Sequence, residues 1–114
     1  ANTDEFRLKD FINAISDPEV KAIICMRGGY GSMPILPELL KKDLKESTPK
    51  LFIGFSDITI LLIYLQQKLA WHVIHGPVAL QLIPNKIDAT SVEQLKQLAF
   101  NEITKISFDL IPLN

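Results

Sequence analysis

Three short stretches hold the residue types that could do chemistry. Gly54-Phe55-Ser56-Asp57 lies between an apolar run and an apolar helix-like segment. A serine at a sharp strand-to-helix turn is held out above the sheet, and the helix N-terminus behind it offers unpaired N–H groups and partial positive charge. Both favour a developing alkoxide or oxyanion, and the backbone N–H of Asp57 stands where an oxyanion donor is needed. The same tetrapeptide also reads as a plain helix start, with Ser56 or Asp57 as the N-cap. The second glycine usual in such an elbow is replaced by Ile58.

Arg27-Gly28-Gly29-Tyr30-Gly31-Ser32 places three glycines among four residues directly after an apolar run. Glycine permits positive φ and close backbone approach, so this loop can aim successive N–H groups at an anion, with Arg27 as a nearby charge. Neither G-x-G-x-x-G nor the Lys-Ser/Thr of a P-loop is present, so an oxyanion or carboxylate fits better than a phosphate. A tight structural turn is the other reading. His75-Gly76-Pro77 is the third stretch, and His75 is either a base for Ser56 or a turn histidine bonded locally. His72, inside an expected strand, is taken as structural. Cys25 is taken as an inert core thiol, and Arg7, Lys9 and Asp10 as the solvated face of the first helix.

The elements that must position these loops follow from periodicity. Thr3-Asp4 offers an N-cap to a helix with Phe6, Leu8, Phe11, Ile12 and Ile15 on one face, stopped near Ser16 by Asp17-Pro18. Ala22 to Met26 reads as a strand buried on both faces. Pro34 to Leu44 reads as one or two short helices punctuated by Pro37, and Leu51 to Ile53 as a second strand. A helix is expected from Ile58 to Leu69, then a strand from Trp71 to Ile74. Ser91 with Gln94 marks a capping box for a helix to about Phe100, and a last strand is expected over Ile106 to Ile111. Alternation of helix and strand implies a mostly parallel sheet with helices on both faces, an incomplete Rossmann-like or flavodoxin-like three-layer domain. All strand C-termini then share one edge, where the three loops converge and where ligands of open α/β sheets bind.

Composition narrows the function classes. The chain has 114 residues, 12 Lys+Arg against 13 Asp+Glu, and a net charge of −1. That size suits one domain, and the charge leaves no footprint for a nucleic-acid binder. No stretch approaches the ~18 consecutive apolar residues of a membrane helix, and the polar first ten residues are not a signal peptide. One cysteine and two histidines argue against a disulfide or a structural zinc site. A cytoplasmic protein without metal or cofactor, membrane or nucleic-acid partner is expected.

Taken together the motifs resemble one family, the LD-carboxypeptidases or muramoyltetrapeptide carboxypeptidases, whose relatives include the microcin-immunity peptidases. Those proteins carry Asp-Pro-x-Val-x-Ala-Ile, then Arg-Gly-Gly-Tyr-Gly-Ser, Pro-Lys-x-x-Ile-Gly-Tyr/Phe-Ser-Asp-x-Thr and His-Gly-Pro. This chain has Asp17 to Ile23, Arg27 to Ser32, Pro49 to Thr59 and His75 to Pro77 in that order, with Met33 where an arginine is frequent. The resemblance implies a serine peptidase with Ser56 as nucleophile and an oxyanion hole from Gly29 and the Asp57 N–H. Arg27, Gly28, Tyr30, Gly31 and Ser32, with His75 and Gly76, are expected to meet the substrate. The implied reaction removes the terminal D-alanine from a cytoplasmic murein tetrapeptide. The family completes its triad with a glutamate and a histidine of a separate C-terminal domain, which have no counterpart here. Residues 1–114 are accordingly read as most of a nucleophile-bearing domain, lacking its first strand and helix, inactive alone and prone to form homo-oligomers. The alternatives are an amidase of the same clan acting on an aminoacyl-nucleotide and a non-catalytic ligand-binding module.

Overall fold

Helix α1, Asp4–Ser16, starts where the Thr3 side chain accepts a hydrogen bond from the Phe6 N–H at 3.2 Å. Asp4 and Glu5 in its first turn complement the helix dipole. It stops because Asp17 takes an extended conformation ahead of Pro18. Leu8, Phe11, Ile12 and Ile15 turn inward, whereas Phe6 is exposed. The structure is a computed structural model that describes residues 3–84 and 86–107.

Strands β1 (Ala22–Ile24), β2 (Leu51–Gly54) and β3 (Val73–His75) form a parallel sheet in the order β1-β2-β3. Ile23 pairs with Phe52 and Phe52 with Val73, while Ile24 pairs with Ile53 and Ile53 with Ile74. Alternation of side chains sends the first row to one face and the second to the other. On the first face Phe52 meets Phe11 edge-on, with ring centroids 5.9 Å apart. Around it pack Ile15 from α1, Leu39 from α2 (Ser32–Leu39), and Leu61 and Leu65 from α3 (Thr59–Leu69). Each such fully buried side chain stabilises the fold by about 2 kcal/mol relative to exposure. On the second face lies α4 (Ala89–Ala99), whose Leu95 reaches Gly76 beside Ile53 and Ile74. The parallel α/β layering expected from the sequence is therefore present.

Several local expectations change. Strand β1 is not buried on both faces: Ile24 is 44 % exposed and Met26 64 %. Strand order explains this, because only β2 has a neighbour on each side among the described residues. Helix α2 begins at Ser32, ahead of Pro34, and continues through Pro37 before ending at Leu39 in tight turns from Lys41 to Glu38 and Lys42 to Leu39. Pro34 lies in the first turn, where a missing N–H costs no helical bond. Helix α4 is capped by Asp88, whose carboxylate accepts from the Ser91 N–H at 2.8 Å, so Ser91 is a helical residue and not the cap. His72 precedes β3 and is exposed, and His75 closes the strand instead of opening the loop. The strand expected over 106–111 lies mostly outside the described residues. Among the described residues, no helix is long and apolar enough to cross a membrane.

Candidate active site

The site is built at the C-terminal end of β2. The chain must turn hard after Gly54, since a Cβ there would lie 2.6 Å from Ile58 Cγ2. Phe55 is extended, and Ser56 then takes φ of 60°, in the left-handed region. An L-residue with a Cβ holds that conformation at a cost of about 1–2 kcal/mol. Such local strain persists where the surroundings impose it, and an elbow that projects one side chain is a recurring reason. Ser56–Ile58 forms a short 3-10 turn, closed by the Ile58 N–H donating to the Phe55 carbonyl, and α3 follows without a break. Ser56 is exposed, at the top of the central strand.

The glycine loop leaves the neighbouring strand at the same edge. The Cys25 N–H still donates to the Ile53 carbonyl at 3.0 Å, so sheet pairing holds up to the start of the loop. Gly28 is packed directly on the serine: a Cβ at this position would stand 3.3 Å from Ser56 Cβ and 3.5 Å from its Oγ. Gly29 takes φ of 145° with open space beside it, a conformation that L side chains rarely adopt. Tyr30 is almost fully exposed, at 94 %. Gly31 lies under α1, where a Cβ would meet Arg7 Nε at 2.8 Å. Ser32 is buried, and its N–H donates to Asp57 Oδ2 at 2.9 Å.

The third loop is tied in by backbone bonds. His75 pairs with Gly54, and the Gly76 N–H donates to the Gly54 carbonyl at 3.0 Å. The His75 ring stands edge-on to Phe55, with centroids 6.4 Å apart. Among the described residues no hydrogen bond joins it to Ser56. Beyond Pro77 a 3-10 turn over Ala79–Gln81 crosses the strand ends: Ala79 N–H donates to the Cys25 carbonyl and Leu80 N–H to that of Met26. This strap, invisible to periodicity because it is three residues long, ties the third loop to the first.

The geometry brings all the sequence-derived candidates to one edge. It also adds two groups. The Asp57 carboxylate, considered only through its N–H or as a cap for its own helix, bonds across to α2 instead. The sequence signal for it is Gly31, which opens α2 without a side chain to cap it. Arg7, expected on a solvated face, instead packs on Gly31 and lines a cleft of about 870 Å³ between α1, β1 and the glycine loop, together with Arg27 and Asp57. Cys25 also borders this cleft, but burial pushes its thiol up to about 11, so it is protonated at neutral pH and no rival nucleophile. Among the described residues, no group of three or more His, Cys, Asp and Glu could hold a metal ion.

An exposed serine on a strained turn, with glycine backbone against it and helix N–H groups behind it, can attack a carbonyl and stabilise the oxyanion that forms. Comparison with known proteins identifies the family of the chain. Residues 1–76 match the family described as the LD-carboxypeptidase N-terminal domain. The chain is 42 % identical over 101 residues to the murein tetrapeptide carboxypeptidase of Pseudomonas aeruginosa, covering 87 % of this chain and 33 % of that protein. It is 36 % identical over 115 residues to a Rickettsia prowazekii protein that carries the name carboxypeptidase, covering 100 % of this chain and 36 % of that one. A Bacillus subtilis protein named as a murein peptide carboxypeptidase is 31 % identical over 103 residues, covering 90 % of this chain and 31 % of its own length. The chain thus spans about a third of the length of the curated relatives it matches.

Proposed function

The chain belongs to the LD-carboxypeptidase family, and from that premise we propose that the full-length protein is a serine-type carboxypeptidase acting on murein peptides in the cytoplasm. Its reaction removes the terminal D-alanine of a tetrapeptide. Ser56 Oγ attacks the carbonyl carbon of the scissile bond while a base takes its proton. The N–H groups of Gly29 and Asp57 receive the oxyanion. D-Alanine then leaves with a proton, and water hydrolyses the acyl-enzyme.

What supports this most is the positive φ of Ser56 at the end of the central strand, with Gly28 packed on its side chain. A serine that served only as a helix cap would sit at an ordinary extended Ncap conformation. The base is a different matter, because His75 has its ring against Phe55. The resemblance implies a glutamate and a histidine of a C-terminal domain for that role. On this reading residues 1–114 are most of the nucleophile domain of a longer protein, and alone they turn over no substrate. Gly28, packed on Ser56, sets the glycine loop beside a peptide bound at the serine.

Release of D-alanine from murein tetrapeptide by the full-length protein tests the proposal. Ser56→Ala should lower kcat by at least about 10⁴-fold, as loss of a catalytic serine does elsewhere. Turnover in that variant equal to its parent would overturn the nucleophile, and preference for an aminoacyl-nucleotide would overturn the substrate.

A further inference from the structure

Residues 56 and 57, adjacent on one turn, hold both ends of the segment that runs from Gly28 to Ser32. Ser56 is packed against Gly28, and the Asp57 carboxylate accepts the N–H of Ser32 at 2.9 Å. Ser32 is only 4 % exposed, so this is a sheltered contact across 25 residues of sequence. Gly31, the residue that opens α2, offers no side chain of its own to cap the helix. Asp57 therefore does for α2 what an N-cap side chain would, satisfying a first-turn donor and complementing the helix dipole from another loop. Between the two anchors lie Gly29, with open space beside it, the exposed Tyr30, and Gly31, which is also packed under Arg7.

We infer that the Asp57 side chain is a positioning residue for the reaction: by holding Ser32 it fixes the Gly29 N–H at the distance from Ser56 that the oxyanion requires. This deepens the proposed reaction and presupposes Ser56 as its nucleophile. The carboxylate holds the Ser32 N–H through Oδ2, so its effect on the reaction runs through the loop. An oxyanion donor displaced by about 1 Å loses most of its effect, on the order of 10²-fold in rate.

The test compares Asp57→Ala and Asp57→Asn in the full-length protein with murein tetrapeptide, alongside Ser56→Ala. Asparagine keeps a carbonyl oxygen for the Ser32 N–H, whereas alanine keeps nothing. Asp57→Ala should lower kcat about 10²-fold with KM within about threefold, and Asp57→Asn should restore most of it. Each variant is titrated with a serine-directed electrophile, so that turnover is counted per reactive Ser56. Hydrogen exchange at the Ser32 amide should quicken in Asp57→Ala and stay slow in Asp57→Asn. Asp57→Ala that loses folded protein but keeps the parent's turnover per titrated serine would make the residue merely structural and overturn the inference. Unchanged Ser32 exchange in Asp57→Ala would overturn it as well. Full activity in Ser56→Ala, with Ser32 exchange still dependent on Asp57, would leave the contact standing and remove the reaction it was meant to serve.

Discussion

At the scale of single residues, Gly28 and Gly29 are both needed, for unlike reasons. Gly29 requires its freedom of φ, while Gly28 requires empty space beside the serine. Only the second is a matter of catalysis without folding, because nothing in the backbone of Gly28 forbids a side chain. A methyl group there would stand 3.5 Å from Ser56 Oγ, in the space from which a carbonyl would be approached. Gly28→Ala in the full-length protein should therefore cut kcat/KM by about 10²-fold while moving the thermal midpoint by no more than a few degrees. Steady-state kinetics with a thermal melt on the same sample checks this. A variant with full activity would mean that substrate reaches the serine from another side.

At the scale of elements, what could be read in advance was whatever leaves a local pattern. The cap at Thr3, the stop at Asp17-Pro18 and the elbow after Gly54 are each written in adjacent residues, and each is found in place. The burial of β1 and the destination of the Asp57 carboxylate were not legible. Strand order decides the first and a partner 25 residues away decides the second, and neither leaves a trace in spacing. Helix α4 shows the same limit at close range. Both Asp88 and Ser91 are good cap residues, and only the backbone shows that Asp88 takes the role. The Ser91 hydroxyl donates to Asp88 Oδ2 at 2.6 Å, and that bond, followed by the Ser91 N–H, holds the Asp88 carboxyl below its ordinary value of 3.8. A group with its acidity strengthened by folding stabilises the folded form above its unfolded pKa, and this is lost as pH falls through the folded one. Amide exchange over residues 89–92 should thus quicken as pH drops below about 3.8, beyond the intrinsic pH dependence. Asp88→Asn should erase that dependence, and identical profiles for the two proteins would deny the cap its ionised form.

At the scale of the whole molecule, several apolar side chains are exposed around β1 and the glycine loop. Met26, Tyr30 and Met33 are more than half exposed, and Ile24 and Leu80 are more than two-fifths exposed. Ile24 belongs to β1, which offers its outer backbone groups to no other strand among the described residues. An unpaired strand edge beside exposed apolar side chains is the combination that drives chains together, and natural edges suppress it with charge. None of Ala22, Ile23 or Ile24 supplies a charge. The 114-residue chain should accordingly self-associate, with a sedimentation-derived mass that rises with concentration through the micromolar range. Ile24→Lys puts a charge on that edge at a position already exposed, so the fold should tolerate it while association weakens by about tenfold or more. A parent chain that stays monomeric at every concentration would show that this edge is already shielded. Association unchanged by Ile24→Lys would move the contact to another part of the surface.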